Sequence, residues 1–176
     1  MGIECESLAG IEGMEMKILL AIDGSACSEA ALDEVIRRPW PAGSELRIVS
    51  VVEFPHLAGS EPWVISRAYI EQLENAEADR VEGLIRRAIA RARCDGDQAL
   101  TVTGEVLRSG DPKAVLLEEA EKWGADLIVL GSHGRHGWKR LWLGSVSLAV
   151  ATGAACSVEI VRCRPTEKTE ERSNKS

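Results

Sequence analysis

The feature that most constrains this chain is the alternation of short apolar runs with helical segments. Apolar runs of strand length lie at residues 17–22, 45–52, 100–107, 126–130 and 157–162. The intervening sequence has helical periodicity and predicts helices at about 25–38, 63–93, 112–123 and 145–152. Strands that alternate with helices are typical of parallel sheets, so the pattern predicts an α/β fold.

Length and composition indicate a single domain with two tails. The chain has 176 residues, and we expect the domain at 16–164, an N-terminal extension at 1–15 and a polar C-terminal tail at 165–176, both tails without regular structure. A domain of this size buries enough surface to need neither a metal nor a disulfide for stability.

Charge and hydropathy exclude several classes of partner. The net charge is −7 and the pI about 5.1, which argues against a general nucleic-acid binder, because such proteins neutralise phosphates with Lys and Arg. The chain has no apolar run of about 18 residues, so no membrane span is expected. Residues 1–15 lack the features of a signal peptide, which predicts a cytoplasmic protein.

The five cysteines form an odd set without a C-x-x-C pair. They are Cys5, Cys27, Cys94, Cys156 and Cys163. In a reducing compartment such residues are mostly buried, free thiols, and this is the expectation here. Redox sensing is the alternative, with Cys5 as the thiol expected to oxidise first.

A glycine-rich segment follows the fourth predicted strand. It consists of Gly131, two residues, Gly134, nine residues and then Gly144-Ser145, at the start of a predicted helix. Glycines allow the backbone to approach a ligand or to adopt a positive φ. The free N–H groups of a helix start favour an anion. The spacing matches neither a Walker A loop nor G-x-G-x-x-G, so it indicates a phosphate site of another kind.

Asp23 follows the first predicted strand and adds a second ligand signal. Its carboxylate could accept from ribose hydroxyls or help to hold a metal bound to a nucleotide. Ligands in open α/β sheets lie beyond the carboxyl ends of the strands. If the first and fourth strands are neighbours, Asp23 and the glycine loop therefore face one crevice.

These residues resemble the universal stress protein family over about residues 17–163. The sequence from Lys17 to Ser25, followed by Ser28, Ala30 and Leu32, is similar to the family's opening strand and helix. The G-x2-G-x9-G-S spacing is similar to that of the family's ATP-binding members. The resemblance implies an open five-stranded parallel sheet of order 3-2-1-4-5 with helices on both faces, Rossmann-like and similar to adenine nucleotide alpha hydrolases. It also implies ATP, with Mg²⁺ or Mn²⁺ on the phosphates, and a homodimer formed through the last strand.

The resemblance also implies which residues bind the nucleotide. Asp23 and the preceding backbone would contact the nucleoside, and Val51 would contact adenine. The remaining residues would form the loop around the phosphates and ribose. The full set is Ala21, Ile22, Asp23, Val51, Leu130, Gly131, His133, Gly134, Arg135, Gly144, Ser145, Val146 and Ser147. Arg135, Lys139 and Arg140 are either phosphate ligands or exposed to solvent. Glu159 departs from the family by placing a carboxylate in the last strand.

No catalytic residue is predicted. The pair His133 and His136 lies in a glycine loop and lacks a third ligand at zinc spacing, so no protein metal site is expected. No Ser-His-Asp or Cys-His arrangement is legible. The expected function is a nucleotide-binding, stress-response or regulatory protein with at most slow ATP hydrolysis. The alternatives are a module that binds AMP or cyclic AMP, one that binds no nucleotide, and an adenylating enzyme or electron-transfer flavoprotein on the same scaffold.

Overall fold

The computed structural model describes residues 15–53, 67–96, 100–109, 111–135 and 143–163. The strands are β1 (Lys17–Ala21), β2 (Glu45–Glu53), β3 (Thr101–Ser109), β4 (Leu127–Gly131) and β5 (Ser157–Val161). The helices are α1 (Ala26–Arg37), α2 (Arg67–Asp95), α3 (Pro112–Trp123) and α4 (Ser145–Gly153). The predicted α/β alternation is confirmed, with ends shifted by one or two residues. The start predicted for the second helix, at 63–66, lies outside the described residues.

The sheet is parallel throughout, with the order β3-β2-β1-β4-β5. This confirms the expected order 3-2-1-4-5. The central strand β1 lies between β2 and β4, so the chain reverses its winding direction there. Such a reversal leaves a crevice beyond the carboxyl ends of the two strands on either side of it.

Alternating side chains of β1 divide the core into two layers. Ile18 and Leu20 lie in a cluster with buried residues of α1 and α2. Leu19 belongs to the opposite cluster, together with Leu116 of α3 and Val150 of α4. All three β1 side chains are fully buried, because successive residues of a strand point to opposite faces and both faces carry helices.

The cysteine expectation is wrong for two of the five residues. Cys27 of α1 and Cys163, just beyond β5, form a disulfide, with Cα atoms 4.5 Å apart. The two are separated by 136 positions in sequence, so only the folded sheet brings them together. Cys94 is an exposed free thiol, Cys156 is a half-buried one, and Cys5 lies outside the described residues.

The helices of the described segments include none that is long and apolar enough to cross a membrane.

Candidate functional site

A cavity of about 370 Å³ opens at the carboxyl ends of β1 and β4. The structure brings all thirteen residues proposed from the sequence to its lining. Five further residues line it as well: Ser28, Val49, Ser50, Pro112 and Leu116. Pro112 and Leu116 belong to α3, which the sequence predicts at 112–123. Helix α3 lies at the pocket because the strand before it, β3, is a neighbour of β2 in the sheet. Local sequence does not show this pairing.

Asp23 ties the glycine loop to the end of β1. One carboxylate oxygen accepts from the backbone N–H of Ser25 at 2.9 Å. The other accepts from the backbone N–H of Arg135 at 2.8 Å. Burial alone would raise the pKa of Asp23, but hydrogen bonds from Ser25, Arg135 and Ser28 outweigh it and hold the pKa below its usual 3.8. Asp23 is therefore an ionised carboxylate that shapes the loop on which the site depends.

The motif glycines provide space and do not provide positive φ. Positive φ occurs in the described residues at Gly24, Gly43 and Gly124. The loop glycines are needed for close approach instead. A Cβ on Gly131 would lie 2.6 Å from the carbonyl carbon of Cys27, and one on Gly134 would lie 2.8 Å from the Asp23 carboxylate. The expectation of left-handed backbone at the motif glycines is thus wrong. Their close approach in this structure is to Asp23 and Cys27, and the approach to a ligand stays a prediction.

The N-terminus of α4 lies at the cavity and has no side-chain cap, and we call such an end open. Its N-cap is Gly144, which makes no side-chain capping hydrogen bond. The first N–H groups of a helix have no partner within the helix. Ser145, Val146 and Ser147 carry such groups, and all three residues line the cavity. The Ser147 hydroxyl is already engaged, since it donates to the Gly131 carbonyl at 2.8 Å. The backbone donors and the helix dipole favour an anion at this end.

Arg135 reaches the cavity from the loop but is paired with α2. Its guanidinium lies 3.2 Å from the carboxylate of Glu77. Glu77 also binds Arg80 at 2.7 Å, and the hydrogen bond from Arg80 lowers the pKa of Glu77. The Arg135 side chain is therefore neither fully exposed nor unpaired. Lys139 and Arg140, the other two basic residues of the segment, lie outside the described residues.

His133 contributes backbone and ring atoms at the same corner. Its carbonyl accepts from the Ser25 hydroxyl at 3.1 Å, and its Nδ1 lies 3.1 Å from the Ser132 hydroxyl oxygen. His136 lies outside the described residues. Within the described segments no group of three or more His, Cys, Asp or Glu side chains could hold a metal ion. A divalent cation at Asp23 would accordingly need ligands from a bound molecule.

Comparisons with known proteins match both the sequence and the fold. The model of the universal stress protein family matches residues 14–162. The universal stress protein YxiE of Bacillus subtilis is 33% identical over 151 residues, covering 83% of this chain and 98% of that one. The solved structure of UspA from Lactobacillus plantarum superposes with a TM-score of 0.68 at 24% identity, covering 85% of this chain and 99% of that chain.

Two other solved structures of the same fold are described with nucleotides. One is a universal stress protein in complex with cAMP, with a TM-score of 0.57, 21% identity, and coverage of 86% of this chain and 100% of that chain. The other is a family protein from Arabidopsis thaliana with AMP bound, with a TM-score of 0.58, 13% identity, and coverage of 89% and 97%. At this identity the likeness carries the fold alone. The family match and the identity to a full-length relative together show that this chain belongs to the universal stress protein family.

Proposed function

We propose that this protein binds ATP, with Mg²⁺ or Mn²⁺ on the phosphates, and acts as a nucleotide-dependent regulator of a stress response. The observation that carries the proposal is that one cavity joins an apolar wall to an open helix N-terminus. Val49, Val51 and Leu116 line the first part, and Ser145 to Ser147 the second. An adenine ring suits the apolar wall, and a phosphate chain suits the N–H donors of α4.

The residues present fit a nucleotide with its cation. Asp23 supplies an ionised carboxylate at the cavity, which suits a ribose hydroxyl or the hydration shell of a bound Mg²⁺. Arg135 also lines the cavity and carries a positive charge, which is paired with Glu77. The cation would screen the phosphate charge as it does in other nucleotide sites.

AMP and cyclic AMP are the competing ligands, because two proteins of this fold are described with them. A thermal-shift panel of ATP, ADP, AMP, cyclic AMP, FAD and no ligand separates the candidates, since a bound ligand raises stability by RT ln(1 + [L]/Kd). The expected result is the largest shift with ATP and Mg²⁺. A larger shift with cyclic AMP or FAD would reassign the ligand, and no shift with any of them would favour the nucleotide-free module.

A pair of glycine substitutions connects the binding to the assigned loop. Gly134→Ala places a Cβ about 2.8 Å from the Asp23 carboxylate and should weaken ATP binding about tenfold, because the loop must shift. Gly83→Ala is the matched control. Gly83 lies in α2, and among the described residues beyond its chain neighbours and the adjacent helix backbone, the new Cβ would meet Arg87 alone, at 3.4 Å. Equal ATP affinity in Gly134→Ala and Gly83→Ala, measured by calorimetry, would show that the ligand binds elsewhere.

The nucleotide acts in this proposal as a bound ligand, with hydrolysis slow at most. Rapid hydrolysis needs a group that positions the attacking water. His133 is the candidate in the described loop, and its carbonyl and ring are engaged by Ser25 and Ser132. We expect turnover well below the usual range of about 1–10³ s⁻¹. Turnover of several per second that disappears in His133→Ala would make the protein an ATPase.

We also propose a homodimer through β5. This strand ends the sheet and pairs with β4 on one side, and exposed strand edges are normally paired or covered. Glu159 leaves the edge open to pairing because its carboxylate binds both terminal nitrogens of Arg38, at 2.7 and 2.8 Å, on the α1 side. Analytical ultracentrifugation should give twice the 19.1 kDa chain mass; a monomer at tens of micromolar would overturn the dimer.

A further inference from the structure

We propose that Cys27 and Cys163 form a reversible redox modification site whose disulfide holds the start of the glycine loop, at Gly131 and Ser132, in its binding geometry. Cys27 lies in the first turn of α1 and is 4% exposed. Cys163 follows β5 by two residues and is half-buried, so a small oxidant or reductant can reach it. The bond therefore joins two elements that meet next to the start of the glycine loop.

Cys27 contacts both Gly131 and Ser132, and Val161, two residues before Cys163, binds Ser132. The Ser132 hydroxyl donates to the Cys27 sulfur at 3.7 Å. A Cβ on Gly131 would meet the backbone of Cys27 and Ser28 at under 3 Å, so α1 packs directly on the loop. On the other side, the Ser132 N–H donates to the Val161 carbonyl at 2.8 Å. The disulfide thus closes a ring of contacts around the two loop residues.

The fold gives no reason for a permanent crosslink at this place. A domain of this size stabilises itself by burial, and β5 is already paired along its length with β4. The disulfide instead restrains the segments on either side of the start of the glycine loop. In a reducing compartment a disulfide is typically transient and regulatory.

The oxidation step balances with a hydroperoxide as oxidant. One cysteine thiolate attacks a peroxide oxygen, the O–O bond breaks, and a sulfenic acid and a water (or alcohol) result. The second thiol attacks the sulfenic sulfur, forming the S–S bond and releasing water. The two sulfurs are oxidised and the peroxide is reduced. A dithiol reverses the reaction by exchange and becomes a disulfide itself.

The coupling to ligand binding rests on the proposed nucleotide function. A loop held in its binding geometry loses less freedom when the ligand binds, so the oxidised protein should bind ATP more tightly. By reciprocity, bound ATP should make the disulfide harder to reduce by the same factor.

The test uses the full chain as wild type, Cys163→Ser and Cys156→Ser, each reduced with a dithiol and then treated with hydrogen peroxide. Cys156 is the matched control because it is a half-buried free thiol, and burial raises its pKa and thus disfavours the reactive thiolate. Peptide mapping without reductant should find Cys27 joined to Cys163 in the wild type and in Cys156→Ser. Absence of that crosslinked peptide would overturn the proposal.

Two measurements then test whether oxidation restrains the loop and strengthens ATP binding. Hydrogen exchange of the amides at 131–135 should slow on oxidation, and the Kd for ATP should fall by about five- to tenfold, in the wild type and in Cys156→Ser but not in Cys163→Ser. Unchanged exchange, or an equal or weaker ATP affinity after oxidation, would overturn the proposal. If hydrogen exchange slows on oxidation but neither the reduced nor the oxidised protein binds ATP, the restraint of the loop by the disulfide is supported and the proposed nucleotide function is refuted.

Discussion

Each helix follows a strand of the parallel sheet, and the N-termini of α1, α3 and α4 are built in two ways. At α1 the Ser25 hydroxyl accepts from the N–H of Ser28 at 3.2 Å, and at α3 the Asp111 carboxylate accepts from the N–H of Lys113 at 3.1 Å. At α4 the N-cap is Gly144 and no side chain accepts. The capped ends satisfy their own donors, whereas the open end presents its donors to the cavity. The difference separates a helix start that stabilises the fold from one that is available to a ligand.

The largest effect should come from closing the open end. Gly144→Asp adds a capping carboxylate, and the backbone accepts it because φ is −67°. We expect the affinity for ATP to fall at least about 100-fold, since a negative charge replaces the phosphate, while the free energy of unfolding rises by a few tenths of a kcal/mol. Calorimetry and denaturant unfolding measure the two.

Gly144→Asn is the matched control for that variant. It brings a similar volume, with a Cβ about 3.3 Å from the Ser132 carbonyl oxygen, but no charge. If Gly144→Asn loses less ATP affinity than Gly144→Asp, the additional loss in the Asp variant is due to its charge. If Asp and Asn weaken ATP binding equally, crowding and not anion repulsion explains the loss.

Asp23→Asn should have the next largest effect, and it depends on pH. Loss of the ionised acceptor for Ser25 and Arg135 should lower the free energy of unfolding by about 1–2 kcal/mol at neutral pH. Because the folded-state pKa is lowered, the contribution of Asp23 is fully present above about pH 4 and is lost as the pH falls through the folded-state pKa. Urea unfolding between pH 7 and pH 3 should therefore show wild type and variant converging in acid. A constant gap over this range would contradict the role of the carboxylate charge.

Removing the side-chain cap of α3 should lower stability and leave ATP binding unchanged. Asp111→Ala deprives Lys113 of its acceptor and should lower the free energy of unfolding by about 1 kcal/mol. The affinity for ATP should stay within twofold of wild type, because Asp111 does not line the cavity. A large loss of affinity would mean that the start of α3 also takes part in binding.

The smallest effect should come from freeing Arg135. Glu77→Gln removes the partner at 3.2 Å and should raise the affinity for ATP about two- to threefold, because a partly exposed ion pair stabilises by at most about 1 kcal/mol. Adenosine, which has no phosphate, should bind equally well to both proteins. Glu71→Gln is the control, since it removes an exposed pair with Arg67 in the same helix. An equal gain for adenosine would place Arg135 away from the phosphates.

Local sequence alone determined the element order and the part of the candidate site formed by Asp23 and the glycine loop. The strand runs are nearly all apolar because both faces of a parallel sheet are buried, and Asp111-Pro112 and Gly124 mark the two ends of α3 as observed. Asp23 and the glycine loop were found as well, because each directly follows a strand and carries its own chemical signal. The resemblance to the family supplied the strand order that joins them and the remaining residues of the proposed set, such as Val51.

Tertiary structure decided what depends on contact between distant segments. Cys27 and Cys163 carry no local sign of pairing, and only the docking of α1 beside β5 makes them partners. Glu77 and Arg135 are 58 positions apart in sequence, and only the packing of α2 brings their side chains together. The space beside two loop glycines is occupied by the protein itself, by Asp23 at Gly134 and by Cys27 at Gly131. Periodicity and caps act over a few residues and can be read from the chain, whereas these contacts arise from the assembled sheet and helices.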